Sequence, residues 1–356
     1  MPKSRYLLVG STEPFSGKSA TILGLAHQLR AQGVSIGYGK PLSHGGEDRN
    51  EAGEDADVKF IRQVLGLTEQ QTQVPLLFLD EPTVEKGLHH EPGSYYVEQL
   101  QQSLAQVEGD LVLLEGLGTL SEGRLFNLSL KEIAAHSQAM VMIVARYHSL
   151  LLVDQLLDAQ DQLGDRLFGV LINDIGPQDQ ETVRQHLQPF LESRGIPVLG
   201  MMPRSSLLRS VSVRELTKQL GAKVLCRPDR LDLMVEHLTI GAMNVNSALE
   251  YFRKGENMAV VTGGDRSELQ MAALETSTNC LILTGHTPPP DFIINRAEDL
   301  EIPILSVDLD TLTTVEIVDR TFGQVRLQES IKVHCIRELM AEYFDIQRLM
   351  QMLEQS

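Results

Sequence analysis

Short, continuously apolar runs recur along the first half of the chain, and several are separated by stretches with apolar positions at helical spacing. Tyr6 to Val9 is the first run; it ends at a Gly/Ser/Thr loop that opens an amphipathic helix predicted from about Lys18 to Gln32. VSIGYGKP (34–41) reads as a second strand, followed by LVLLEG (111–116), MVMIVA (140–145), FGVLIND (168–174) and IPVLGMMP (196–203). Strands that are apolar throughout, alternating with helices, indicate a parallel sheet covered on both faces. The pattern fades after Pro203, where RSSLLRSVSVRE (204–215) is polar and is expected to join two domains. A second α/β stretch starts with a helix at about 212–220 and the strand AKVL (222–225). Its other strands are MAVVTG (258–263), NCLILTG (279–285) and IPILSV (302–307). From about Ile331 to Leu353 the chain reads as one closing helix, with apolar residues at 336, 339, 340, 343, 344, 346, 349 and 350. Its stripe suits packing on its own domain, with a dimer contact as the alternative.

Composition narrows the function classes. At 356 residues, two domains is the default expectation. A net charge of −17 argues against nucleic acid or an anionic membrane surface as the main partner, while leaving room for a local pocket for a small anion. The absence of tryptophan and 5% aromatic content argue against a stacking platform for single-stranded nucleic acid. Cys226, Cys280 and Cys335 are far apart and odd in number, forming neither a zinc pattern nor a disulfide framework. The start, MPKSRYLLVG, leads into a strand rather than a secretory signal, and no apolar run approaches the roughly 18–20 residues that span a bilayer. The expectation is a cytoplasmic protein.

The candidate chemistry begins at GSTEPFSGKS (10–19), between the first strand and the first helix. Backbone N–H groups at a helix start hold phosphate oxygens, and the helix dipole favours an anion there. Thr12, Glu13, Ser16 and Gly17 line the loop, Lys18 would reach the outer phosphates, and the Ser19 hydroxyl would ligate Mg²⁺. The spacing is G-x₆-G-K-S, and its specificity comes from its place after the strand. Lys40 follows the second strand, where an ammonium serves a substrate carboxylate or a phosphate, or is an exposed turn lysine. Asp55 and Asp57 could complete a metal shell or simply start a helix. Glu115 ends a buried-looking strand at the edge where parallel sheets bind ligands, suited to Mg²⁺ coordination or water positioning, or to capping a helix. Asn173 could read an adenine edge or serve as a turn residue.

Taken in order, GSTEPFSGKS, GYGKP, DAD, LLEGLG, GVLIND and IPVLGMMP resemble the dethiobiotin-synthetase-like branch of P-loop proteins. That resemblance implies Lys18 and Ser19 on phosphates and Mg²⁺, Asp57 and Glu115 as further metal ligands, Lys40 near the substrate, and Asn173 at the base. GAMN (241–244), TGGDRSE (262–268), LILTG (281–285) and IPILSVDLDT (302–311) resemble a DRTGG domain. There Gly263, Gly264, Asp265 and Arg266 follow a strand, offering an anion site, an Asp–Arg-fixed turn or a dimer contact. This two-domain order resembles the amino-terminal half of large phosphotransacetylases, across about residues 1–325.

The expected architecture is therefore α/β: a parallel-sheet P-loop domain over 1–206, a smaller α/β DRTGG domain over 211–326, and a closing helix over 331–356. The resemblance implies a nucleotide-binding regulator or scaffold of carbon and acetyl metabolism that uses ATP or another adenine nucleotide with Mg²⁺. It is expected to lack acetyltransferase activity, because the chain stops where the acetyl-transferring domain would begin. Homo-oligomers and a protein partner in acetyl metabolism are the expected assemblies. The rival is an ATP- and Mg²⁺-dependent ligase acting on a small carboxylate, and a third reading is a P-loop used only for assembly.

Overall fold

The computed structural model describes residues 6–45, 53–89, 95–241, 243–285, 287–323 and 329–355. Residues 1–5 of the opening segment, Ala242 of GAMN and residues 324–326 at the end of the second expected domain lie outside that set. The chain forms two compact units, one of Met1–Arg204 with Leu327–Ser356 and one of Ser205–Arg326.

In the first unit the strands are β1 (Tyr6–Ser11), β2 (Ile36–Gly39), β3 (Leu42–His44), β4 (Thr72–Gln73), β5 (Leu77–Leu79), β6 (Leu111–Glu115), β7 (Met140–Arg146), β8 (Leu167–Ile175) and β9 (Val198–Pro203). Seven of them form one parallel sheet in the order β4-β2-β6-β1-β7-β8-β9, and β3 pairs with β5 apart from it. The apolar runs become central strands because both faces are covered. Leu8, Val112, Leu114, Ile143, Val170 and Ile172 join one core with Leu100, Leu104, Ile133 and Leu156 from helices. The chain leaves β1 for β2 on one side and leaves β6 for β7 on the other. The strand order therefore reverses beside the end of β1, which opens a crevice at the carboxyl edge.

The first helix, α1 (Lys18–Ala31), differs from the amphipathic expectation. Ile22, Leu23, Gly24, Leu25, Ala26 and Leu29 are all buried, which leaves little polar face. A helix apolar nearly all round is covered on two sides. Its second cover is the end of the chain. The single closing helix expected over 331–356 is instead two, Ser330–Tyr343 and Ile346–Gln355, because Phe344 turns to extended backbone. Gly200 pairs with Phe344 and the Asp345 N–H donates to the Leu199 carbonyl at 2.8 Å, so this break covers the edge of β9. Ile336 and Met340 of the first of the two helices sit over Gly24.

The polar stretch after Pro203 is ordered structure rather than a bare linker. It holds a short helix (Ser206–Arg209), β10 (Val211–Ser212) and a helix over Val213–Gln219, with Ser210, Val211 and Val213 buried. The second unit continues with β11 (Lys223–Cys226), β12 (Met234–Val235), β13 (His237–Ile240), β14 (Met258–Gly263), β15 (Thr278–Thr284) and β16 (Ile304–Ser306). Its five-stranded sheet runs β11-β16-β15-β14-β13, parallel except for the antiparallel edge β11. Phe252, Leu269 and Ile293 join its core on one side and Val213, Leu216 and Val318 on the other.

Candidate functional site

The loop between β1 and α1 is shaped by backbone that few residues adopt. Gly17, at φ 101°, caps α1 in the left-handed region that suits glycine, and a side chain there would meet the Asn173 amide 2.5 Å away. Asn173, at the end of β8, donates from Nδ2 to the Ser16 carbonyl at 2.8 Å. Its amide nitrogen thus holds the loop. Ser16 donates to the Glu13 carbonyl at 3.0 Å, and the Glu13 carboxylate meets His148 Nε2 at 2.8 Å. Among the described residues no side chain caps the start of α1, and the buried Thr12 hydroxyl has no partner. Amides and a hydroxyl that would otherwise be left unpaired are what a phosphate group satisfies.

Lys18 Nζ donates to the Ser11 hydroxyl at 2.9 Å. Burial pulls the Lys18 pKa below the ordinary lysine value, against the opposing pull of Glu115 and Glu122. An ammonium in that state gains from an arriving polyanion.

Beside the loop, the carboxyl edge gathers a compact set of charges. The Ser19 hydroxyl donates to Glu115 Oε1 at 2.6 Å, and the Tyr38 phenol donates to Glu115 Oε2 at 2.7 Å. Glu115 is buried, and burial raises its pKa despite the nearby Lys40 and Lys18. Lys40 lies 2.9 Å from Asp57 Oδ2 and 3.0 Å from Asp55 Oδ2. Burial favours losing its proton, but Asp57, Glu115 and Asp55 together outweigh that and hold the Lys40 pKa above its ordinary value. Asp55 also caps α2 (Ala56–Leu65), accepting from the Val58 N–H at 2.8 Å, and accepts a hydrogen bond from Ser43. Lys40 is thus neither an exposed turn lysine nor open to solvent; it is clamped between two carboxylates.

A hydroxyl and carboxylates are hard oxygen donors of the kind Mg²⁺ takes together with phosphate oxygens. Among the described residues no group of three or more His, Cys, Asp or Glu side chains is arranged to hold a metal by itself. Of the hard oxygen donors here, Ser19 and Glu115 adjoin, and Asp57 is engaged by Lys40.

In the second unit the Gly263–Arg266 turn is fixed by Gln270 and not by an Asp–Arg pair, one of the readings its sequence leaves open. Gln270 Nε2 donates to the carbonyls of both Gly263 and Gly264, at 2.9 and 3.0 Å. Arg266 reaches instead to the Gly241 carbonyl at 3.1 Å, and Asp265 is exposed. A side chain on Gly264 would fall 1.9 Å from the Thr287 carbonyl, so close backbone approach accounts for that glycine.

Sequence reasoning missed Tyr38, which reads as one more core residue of a strand. It also missed Arg146 and Arg204, whose Nε atoms each donate to the Asp174 carboxylate at 2.9 Å and so join the ends of β7, β8 and β9.

A parallel sheet with a phosphate loop after β1, opening α1 beside a reversal of strand order, defines a P-loop nucleoside-triphosphatase-like fold. The chain belongs to the family described by the AAA domain model, which matches residues 5–212, and a DRTGG domain model matches residues 215–321. It is 26% identical to a phosphate acetyltransferase of Nitratidesulfovibrio vulgaris, over 97% of this chain and 51% of that protein. It is 24% identical to a phosphate acetyltransferase of a Synechocystis strain, over 99% of this chain and 52% of that protein. An ATP-dependent dethiobiotin synthetase of Bacillus cereus is 23% identical over 55% of this chain and 81% of its own length. The chain thus spans about half the length of these two acetyltransferases, and the resemblance to their family extends over both units.

Proposed function

We propose that this chain is a nucleotide-responsive regulatory module of acetyl metabolism, akin to the part of the phosphate acetyltransferases that it matches. Its first unit binds an adenine nucleotide with Mg²⁺. The observation that carries this reading is the loop itself: uncapped α1 amides and the unpartnered Thr12 hydroxyl are donors for phosphate oxygens, on a loop that Gly17 and Asn173 hold in shape. Lys18 turns from Ser11 to the outer phosphates. Ser19 and Glu115 hold the cation, which neutralises phosphate charge when bound. Asn173 keeps the loop in shape.

The rival, a ligase that phosphorylates a small carboxylate, needs a free cation to hold that substrate. Lys40 is the residue placed for it, and Asp55 and Asp57 already occupy its ammonium. A substrate carboxylate there would meet an ammonium whose charge two carboxylates already offset. The experiment is equilibrium binding of ATP with Mg²⁺, alongside phosphate release with and without a panel of small mono- and dicarboxylates. Saturable binding with release unaffected by carboxylates is expected. Carboxylate-dependent release would establish the ligase instead.

A further inference from the structure

Tyr38 is fully buried in a strand of otherwise core-forming residues, yet its phenol reaches the charged edge of the sheet. β2 and β6 run parallel with Tyr38 opposite Leu113 and Gly39 opposite Leu114. Side chains alternate along a strand, so Glu115, two positions beyond Leu113, lies on the same face as Tyr38. One strand across and two residues along is a gap of about 8 Å, which suits a side chain as long as tyrosine. Each Glu115 oxygen then has its own hydroxyl donor. Oε1 faces Ser19, which belongs to the phosphate loop, and Oε2 faces Tyr38, which is locked in the sheet.

We propose that Tyr38 is a positioning residue for the cation end of the nucleotide site, fixing Glu115 so that only Oε1 is presented beside Ser19. Mg²⁺ accompanying the nucleotide then meets a carboxylate whose orientation is set before it arrives. The inference rests on the nucleotide reading above and adds a specific residue to it. Ser19 and Glu115 Oε1 would hold the cation, and the Tyr38 bond to Oε2 would keep the carboxylate from rotating.

Tyr38→Phe keeps the ring and removes only the donor. Melting is followed first with ATP in EDTA and then through a MgCl₂ titration. The shift given by ATP in EDTA is expected to match the wild type, while the Mg²⁺ midpoint rises about tenfold, as when a ligand's supporting partner is lost. In a Glu115→Gln background, which removes the buried charge that the single variant leaves with one donor fewer, Tyr38→Phe should change the Mg²⁺ dependence no further. An unchanged midpoint in Tyr38→Phe, in a wild type that does respond to ATP and Mg²⁺, overturns this inference alone. A wild type with no response to nucleotide overturns the functional reading and this inference with it.

Discussion

Lys40 shows how far the surroundings of one residue decide its role. Its ammonium is nearly buried, the side chain of Asp55 is fully buried, and that of Asp57 is 22% exposed. Removing the lysine strands at least one buried carboxylate, and breaking a buried pair from one side costs about 3–5 kcal/mol. Lys40→Met should therefore lower unfolding stability by about that much in urea, whereas Asp57→Asn, at the more exposed partner, should cost less. Glu122 offers a test through pH. The His44 imidazole and the Gly118 N–H hold the Glu122 carboxyl below the ordinary carboxylate range, against the opposing pull of its burial. A folded-state value below the unfolded one contributes stability fully above about pH 4.3, and that contribution is lost as pH falls through the folded value. The stability difference between wild type and Glu122→Gln should thus shrink in urea melts as pH falls below about 4.3. Lys18, Ser19 and Glu115 were legible in sequence because each sits at a punctuated place, a glycine-bounded loop or the end of an apolar run. Tyr38 was not, since one position inside such a run looks like another until the neighbouring strand's register is known.

Among the elements, α1 links the loop to the end of the chain. Its outer face is covered by the Ser330–Tyr343 helix, and Gly24 leaves the space that Met340 fills. Met340 is 3% exposed, so Met340→Ala should cost about 2–5 kcal/mol in a denaturant melt. A stripe of apolar residues in the sequence states that a helix packs, but not against what. The closing segment was therefore legible as helical while its division at Phe344 and its place on α1 were not. Those depend on the open edge of β9, where Leu199 and Gly200 accept the returning chain. The central strands are legible in the sequence, because fully buried parallel strands read as near-continuous apolar runs. The short strands β3, β4 and β5 carry no such signature and emerge only from pairing.

Across the whole molecule, each unit has a sheet and a core of its own, and the chain leaves the first after Arg204 and returns to it for its last helices. Motif order made the two-part plan legible, since a phosphate loop and a TGGDR turn each follow a strand of a separate α/β series. The return to the first unit has no sequence signature, because it is a fact of packing. The central claim is that the first unit binds an adenine nucleotide through the β1–α1 loop, and calorimetric melting of the full chain with ATP and Mg²⁺ tests it most directly. At 100 times the dissociation constant the ligand should stabilise the first unit by about 2.7 kcal/mol. The transition of the first unit should move upward and that of the second should stay in place, with the shift abolished in Lys18→Ala. A wild type whose melting is unmoved by millimolar ATP, ADP or GTP, or a Lys18→Ala variant that shifts as far as the wild type, would contradict the account.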